Sequence, residues 1–278
     1  MSVAAPTVTG MATLPNRLPG LAADPTGRSI GLERPLPPGR LIDTTDEGPW
    51  HEPLLWCADE APAAGAWTAV HPARRTAGLL PVLLDVGGSQ GGPEDWELMP
   101  GEASYAGDHD AEEVLAEYWQ ECAAAEDGDW PGLATAPDAL TAAPDPDTLA
   151  AETAEALLSA PSRLKDPRLA LVPARRSADI PAAIGWSGPM NHENDVARLS
   201  AVLRSWEDRF GIRVVALTFD QLIVSVAAPP TTDAEAEEIA AEHFAFCPDN
   251  ITRGTPDGSL DTYARTLLTE GTWTFWWD

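Results

Sequence analysis

The carboxyl-terminal hexapeptide Trp273-Thr-Phe-Trp-Trp-Asp278 constrains the fold of this chain more than any other stretch. Chain ends fray unless something ties them down. An end that holds three of the eleven tryptophans has too much apolar surface to be left in water. Side chains alternate across a strand, so Trp273, Phe275 and Trp277 fall on one face. The terminus is therefore expected to be a strand of a sheet, with those three rings in a core.

The rest of the chain can supply that core: of its 278 residues 44% are hydrophobic, enough for one large or two modest domains. The formal charge of −27 is uneven. Residues 1–165 hold 27 acids and 8 bases, residues 166–278 hold 17 and 9, and residues 76–162 hold 19 acids with no Lys or Arg. Such a charge repels phosphate backbones and anionic lipid, and no basic run offsets it, so neither nucleic acid nor a membrane surface is an expected partner. A basic protein is the partner it suits, against the plainer reading of a solvated acidic surface. Cys57, Cys122 and Cys247 are odd in number and far apart, which argues against a disulfide framework. The start lacks the basic and apolar regions of a signal peptide, and no run approaches the ~18 apolar residues of a membrane span. The cytoplasm is the expected address.

Four regions are expected along the chain. Residues 1–50, rich in Pro and Gly, form an irregular arm with one short strand. Residues 51–125 form a smaller mixed α/β region with strands at 54–56, 66–70 and 78–86, in the last of which Pro81 demotes the first half to an edge or bulge. The loop Gly87-Gly-Ser-Gln-Gly-Gly92 follows. It lacks Gly-Lys-Ser/Thr and GxGxxG, and Glu94, Asp95 and Glu97 would repel phosphate, so it reads as a plain flexible turn. A helix over 110–124 opens on a capping box of Asp110 and Glu113 and buries Val114, Leu115, Tyr118, Trp119 and Cys122. Residues 126–165 are an acidic, Ala/Pro-rich linker with a short helix over 149–158.

Residues 166–278 are the most regular region. A strand at 169–173 precedes a helix that ends at Phe210 with Gly211 as its stop. Strands at 214–219 and 222–227 form a hairpin, a Thr232/Glu235 capping box opens a helix to Phe246, and a further helix over 260–268 feeds the terminal strand. The order strand, helix, strand, strand, helix, helix, strand matches an α+β fold, a ferredoxin-like split βαβ sandwich with an extra helix.

Several blocks carry a resemblance: Leu171-Val-Pro-Ala174, Asp179-Ile-Pro-Ala-Ala-Ile-Gly-Trp186, Asn191-His-Glu-Asn-Asp195, Trp206-Glu-Asp-Arg-Phe-Gly211, Ala241-Glu-His-Phe-Ala-Phe-Cys-Pro-Asp-Asn250 and the terminal hexapeptide. In this order they resemble an actinobacterial family, domain of unknown function 4253 (DUF4253), over about residues 169–278. The region of Trp67 and Gly78-Leu-Leu-Pro81 is similar to what often precedes that domain. The resemblance implies no activity and carries no catalytic residue across.

Two polar clusters hold the candidate chemistry. His192, Glu193 and Asp195 stand at the entry to the first C-terminal helix, and His243, Cys247, Asp249 and Asn250 at the exit from the second. A nucleophile reading takes Cys247 as thiol, His192 or His243 as base and Asp249 as its orienting group; the negative end of the helix dipole raises a thiol pKa and counts against it. A metal reading has one spaced pair, His243 and Cys247, and lacks a second. The plainer reading makes 191–195 a capping cluster served by Asn191 or Asn194, 247–250 a helix stop with an Asx turn, and His243 and Cys247 core residues. GxSxG and HExxH are absent, and Arg74-Arg75 and Arg175-Arg176 read as solvated pairs. The expectation is a non-catalytic binding or regulatory module with an acidic surface for a basic protein partner, without cofactor or metal, in which Glu193, Asp195, His243 and Asn250 are candidate binding residues. The alternative is a hydrolase-type enzyme using His192, Cys247 and Asp249.

Overall fold

The computed structural model describes residues 15–123, 128–137, 143–160 and 163–278. In chain order the elements are α1 (Pro19–Ala23), β1 (Gly39–Ile42), the two-residue strands β2 (Thr44–Thr45) and β3 (Gly48–Pro49), β4 (Leu55–Ala58), α2 (Ala66–Val70), α3 (Ala73–Ala77), β5 (Leu79–Asp85), α4 (Ala111–Cys122) and α5 (Pro146–Ser159). They continue with β6 (Pro167–Pro173), α6 (Ile180–Ile184), α7 (Val196–Phe210), β7 (Arg213–Leu217), β8 (Gln221–Ser225), α8 (Asp233–Phe246), α9 (Asp249–Thr252), α10 (Leu260–Leu267) and β9 (Thr272–Trp276). Residues 1–14 of the expected arm, and 124–127, 138–142 and 161–162 around the expected linker, lie outside the described residues.

Seven strands form one sheet in the order β1-β4-β6-β5-β7-β8-β9, so strands from 39–85 and from 167–276 interleave. Every neighbouring pair is antiparallel except β5 and β7, which run parallel at Leu83↔Ala216 and Leu84↔Leu217. The protein is thus a mixed α/β fold on a mostly antiparallel sheet. The helices and strands of residues 166–278 follow the expected order along the chain, but their pairing is not that of a split βαβ sandwich. Such a unit sets its first strand beside its third, whereas β6 pairs with β4 and β5, and β7, β8 and β9 form a meander. The reason lies in β5. Its residues are all buried, so it is stable only where both faces are covered and both edges engaged.

Alternation along the strands feeds two cores. Leu80, Val82 and Leu84 of β5, Ala170 and Val172 of β6, Leu222 and Val224 of β8, and Trp273 and Phe275 of β9 enter one core with α4, α6, α7, α8 and α10. Leu79, Leu83, Leu169, Leu171 and Ile223 enter the other, with Leu18, Leu21, Ile30, Trp67, Val70 and Ala154. A register shift between Val214 and Ala216 lets Val215 and Ala216 both join that second core. Pro81 pairs with Leu171 of β6, while the ladder to β7 begins at Leu83, so a residue without an N–H meets no partner strand on that side.

Residues 66–70 are a helix and not the expected strand. Trp67 and Val70, three apart, are its buried residues, which is a helical period, and Gly65 at φ 77° turns the chain into it. The caps of the longer helices follow the sequence closely. Asp110 accepts from the N–H groups of Glu112 and Glu113, and Thr232 and Glu235 form a reciprocal capping box. At α7 the cap is Asp195, accepting from Ala197 N–H, in place of the expected Asn191 or Asn194.

The terminal strand is built in: Trp273, Phe275 and Trp277 are 1%, 0% and 3% exposed. It lies at the sheet edge, and its free side is met by Asn250, whose Nδ2 donates to Thr274 O (2.6 Å) and whose Oδ1 accepts from Trp276 N (3.1 Å). The segment expected as an Asx turn is the short helix α9, which places Asn250 there. Among the described residues no helix is long and apolar enough to cross a membrane.

Candidate functional site

The two polar clusters named from the sequence lie on separate hydrogen-bond networks. Before α7, Pro189 O accepts from the N–H groups of His192 and Glu193, closing a turn that presents the three polar side chains. Glu193 accepts from Tyr118 Oη (2.8 Å) and from Asp195 N (2.9 Å), and pairs with Arg198 Nε (2.9 Å). Asp195 also accepts from Ser104 N and lies 3.6 Å from His109 Nε2. His192 packs on the Tyr118 ring, centroids 4.7 Å apart, and its buried Nε2 has no hydrogen-bond partner among the described residues. Burial lowers the His192 pKa, against the opposite pull of Glu121, Glu193, the Ala245 carbonyl and Asp249.

At the end of α8, His243 and Cys247 are both 0% exposed. His243 is ringed by Trp206, Trp273, Phe275 and Tyr263, and its Nδ1 lies 3.0 Å from Tyr263 Oη. Burial first, and the Arg209 charge second, push its pKa down to about 3, so it is a neutral core imidazole. Asn250 Nδ2 donates to the same Tyr263 hydroxyl at 3.4 Å. The Cys247 thiol donates to Trp276 O (2.9 Å) and reaches Asn250 Oδ1 at 3.5 Å, and burial pushes its pKa up to about 12. Asp249 accepts from Asp278 N and faces Arg253 Nε at 3.4 Å.

Thus His243, Asn250 and Cys247 come together through Tyr263 and the β9 edge, while His192, Glu193 and Asp195 belong to the Tyr118 network. His192 feels the Asp249 charge, but the Cys247 thiol is turned to β9. Among the described residues no group of three or more His, Cys, Asp or Glu is placed to hold a metal ion.

Sequence reasoning passed over Glu242, a fully buried carboxylate. Arg209 holds it bidentately, Nη1 to Oε1 and Nη2 to Oε2 at 2.6 Å each, while Trp206 Nε1 (2.7 Å) and Ala134 N (2.6 Å) complete its shell. The signal was present: an acid inside the apolar run Ile239-Ala-Ala-Glu-His-Phe-Ala-Phe246 must find a cation.

Two surface features stand apart from these networks. Helices α4 and α8 pack side by side, and α10 packs on α8. Their exposed acids, Glu112, Glu113, Glu121, Asp233, Glu237 and Asp261, make no ion pair among the described residues. Some acids elsewhere are paired, Asp147 with Arg74 and Arg213, Asp179 with Arg204, Glu207 and Asp208 with Arg176, whereas exposed acids such as Glu33, Glu47, Glu52 and Glu60 make no ion pair among the described residues.

The second feature is a cleft of about 620 Å³ past the carboxyl ends of β5 and β7. Asp85, at the end of β5, accepts from the N–H groups of Gly87, Lys165 and Asp166, which fastens the glycine-rich loop to the segment entering β6. A Cβ on Gly87 would stand 2.6 Å from Lys165 Cβ, so only glycine permits that approach. Gly88–Gly91, Arg163 and Lys165 form one wall; Ser187, Gly188 and Asn191, the β7–β8 turn and Trp277 form the others.

A mixed α/β protein with both faces of a mostly antiparallel sheet covered by helices is what these observations define. Residues 168–278 match the family described as domain of unknown function (DUF4253). The match opens inside β6; β1, β4 and β5, which complete the same sheet, lie outside it. No curated protein and no solved structure matches the chain.

Proposed function

We propose that this protein is a non-catalytic binding module whose helical face of α4, α8 and α10 docks a basic protein partner. The observation that supports this is the gathering of six exposed carboxylates, without ion partners among the described residues, on three helices that pack against one another. Like charges on adjoining helices repel each other, and a cationic surface relieves that repulsion. Catalysis through His192, Cys247 and Asp249 has less support, because a buried thiol with its pKa at about 12 holds almost no thiolate near neutrality.

The test uses a lysine-rich peptide as partner and compares E112Q/E113Q/D233N/E237Q with E33Q/E47Q/E52Q/E60Q, which removes equal charge from exposed sites elsewhere. The association rate to the native chain should fall about tenfold between roughly 20 and 150 mM salt, and the helical variant alone should lose most of the binding. Equal losses in both variants, or salt-independent association, would overturn the assignment.

A further inference from the structure

We propose that the cleft past the ends of β5 and β7 is a binding site for a small phosphate monoester, held by Arg163, Lys165 and the backbone N–H groups of Gly88, Ser89 and Gln90. The proposal is independent of the helical face.

Its first support is placement. Where two parallel strands end together and their connections diverge, a crevice opens outside their carboxyl ends, and open α/β sheets bind ligands there. β5 and β7 are the parallel pair of this sheet; the chain leaves β5 through the glycine-rich loop and leaves β7 through the hairpin to β8. A volume near 620 Å³ suits a small organic molecule.

The second support is which charges in the cleft are already engaged. Its acids are: Asp85 accepts from three backbone N–H groups, Asp220 from the Thr218 hydroxyl and Trp276 Nε1, and Asp278 pairs with Arg253. Its cations are not. Arg163 and Lys165, the single lysine of the chain, are exposed, and neither side chain has an ion partner among the described residues, although 44 acids surround 17 bases. Asp85 and Asp220 keep their charge but are directed at fixed donors and Asp278 at Arg253, so Arg163 and Lys165 are the charged groups of the lining left to meet an anion.

The third support is the loop. The N–H groups of Gly88, Ser89 and Gln90 have no acceptor among the described residues, while Gly91 N donates to Gly88 O and closes the turn. Consecutive N–H groups in a glycine-rich turn form an anion-binding concavity. Of the three acids expected to repel phosphate, Glu94 pairs with Arg40, Asp95 lies against Gly91 and accepts from Gly92 N, and none of Glu94, Asp95 and Glu97 lines the cleft. The cation such a loop needs comes not from the loop itself but from Lys165, fastened beside Gly87 by Asp85.

Three N–H groups, a guanidinium fork and an ammonium exceed what the two oxygens of a carboxylate can accept and match the three terminal oxygens of a phosphate monoester. The organic remainder would meet other lining residues, among them Phe219, Trp277 and the carboxamides of Gln90, Asn191 and Gln221.

The test is a titration of the full chain with inorganic phosphate at fixed ionic strength, following the backbone amide signals of Gly88, Ser89 and Gln90 by NMR, with acetate as the carboxylate comparison. Saturable downfield shifts at these amides are expected, with affinity roughly tenfold or more weaker in R163Q/K165Q and an unchanged thermal midpoint, since both side chains are exposed and unpaired. Absence of saturable shifts, equal affinity in the double variant, or acetate binding as tightly as phosphate would overturn it.

Discussion

At the end of α8 the titratable groups are buried and neutral or locked to a partner, whereas the cleft beside β5 presents two cations with no ion partner among the described residues. His243 and Cys247 sit among aromatic rings and backbone carbonyls, and Glu242 is closed off by Arg209, Trp206 and Ala134. The cleft has the opposite economy: its carboxylates hold the loops in place and its cations face solvent. Polar residues in the first region act on stability, and those in the second are the ones proposed for recognition. A motif made of His, Cys and Asp therefore says little until burial and hydrogen-bond partners are known.

The largest test of the buried side removes β9. Deleting Trp273–Asp278 takes away three rings that pack on Trp206, Phe210, Phe246 and Trp186, and cooperative urea unfolding should be lost. A truncated chain that still unfolds in one sharp transition would show that this core does not depend on its terminal strand.

Next in size is Glu242→Ala, which leaves Arg209 largely buried without its counter-charge and should cost about 3–5 kcal/mol, read from urea midpoints. Lys165→Gln in the cleft should change stability by no more than about 0.5 kcal/mol. Similar values for the two would erase the contrast between the regions.

Acid supplies the third test. His243 is neutral in the folded chain, with its pKa held at about 3, while the unfolded chain takes up a proton there below about 6.5. The resulting stability is fully present above about 6.5 and is lost as pH falls from there toward 3, at no more than about 1.4 kcal/mol per pH unit. His192, also lowered by burial, acts in the same direction. Urea midpoints for His243→Phe should fall less steeply between pH 7 and pH 4.5 than those of the native chain; identical slopes would mean that this imidazole is not the group that titrates.

On the buried side the smallest effect is expected at Cys247. Its replacement by Ala should cost about 1–2 kcal/mol. Iodoacetamide near neutral pH should leave both Cys247 and Cys57, whose pKa burial raises to about 11, unmodified while entering the half-buried Cys122 first. Rapid labelling of Cys247 in the folded chain would move the region from packing toward chemistry.

Local signals predicted local structure well. Asp110, Thr232 and Gly211 bound their helices as their chemistry requires, and the alternation of Trp273, Phe275 and Trp277 produced a buried strand face. Pairing between distant segments was not legible. Nothing near residues 79–85 states that this strand will lie between β6 and β7, because that choice depends on helices from both halves covering its two faces. The cleft was illegible for the same reason: Gly87 and Lys165 are brought together by the carboxylate of Asp85, and their separation along the chain hides the pair. Residues 66–70 failed differently, since β-branched and aromatic content suggested a strand while the three-residue spacing of Trp67 and Val70 belonged to a helix.

The carboxamide of Asn250 stands against β9 as a single peptide group would, offering one donor and one acceptor at the spacing of a neighbouring strand. With the outward N–H of Trp276 and the outward carbonyl of Thr274 both taken, another chain finds no template on which to start a ladder. At the opposite margin, β1 carries Arg40, whose pairing with Asp59 and Glu94 sets a charged clasp where a stranger's backbone would have to land. A sheet with seven strands and so much tryptophan is thereby guarded against pairing edge to edge, and at the β9 margin the short side chain of Asn250 does so together with the Cys247 thiol on Trp276 O.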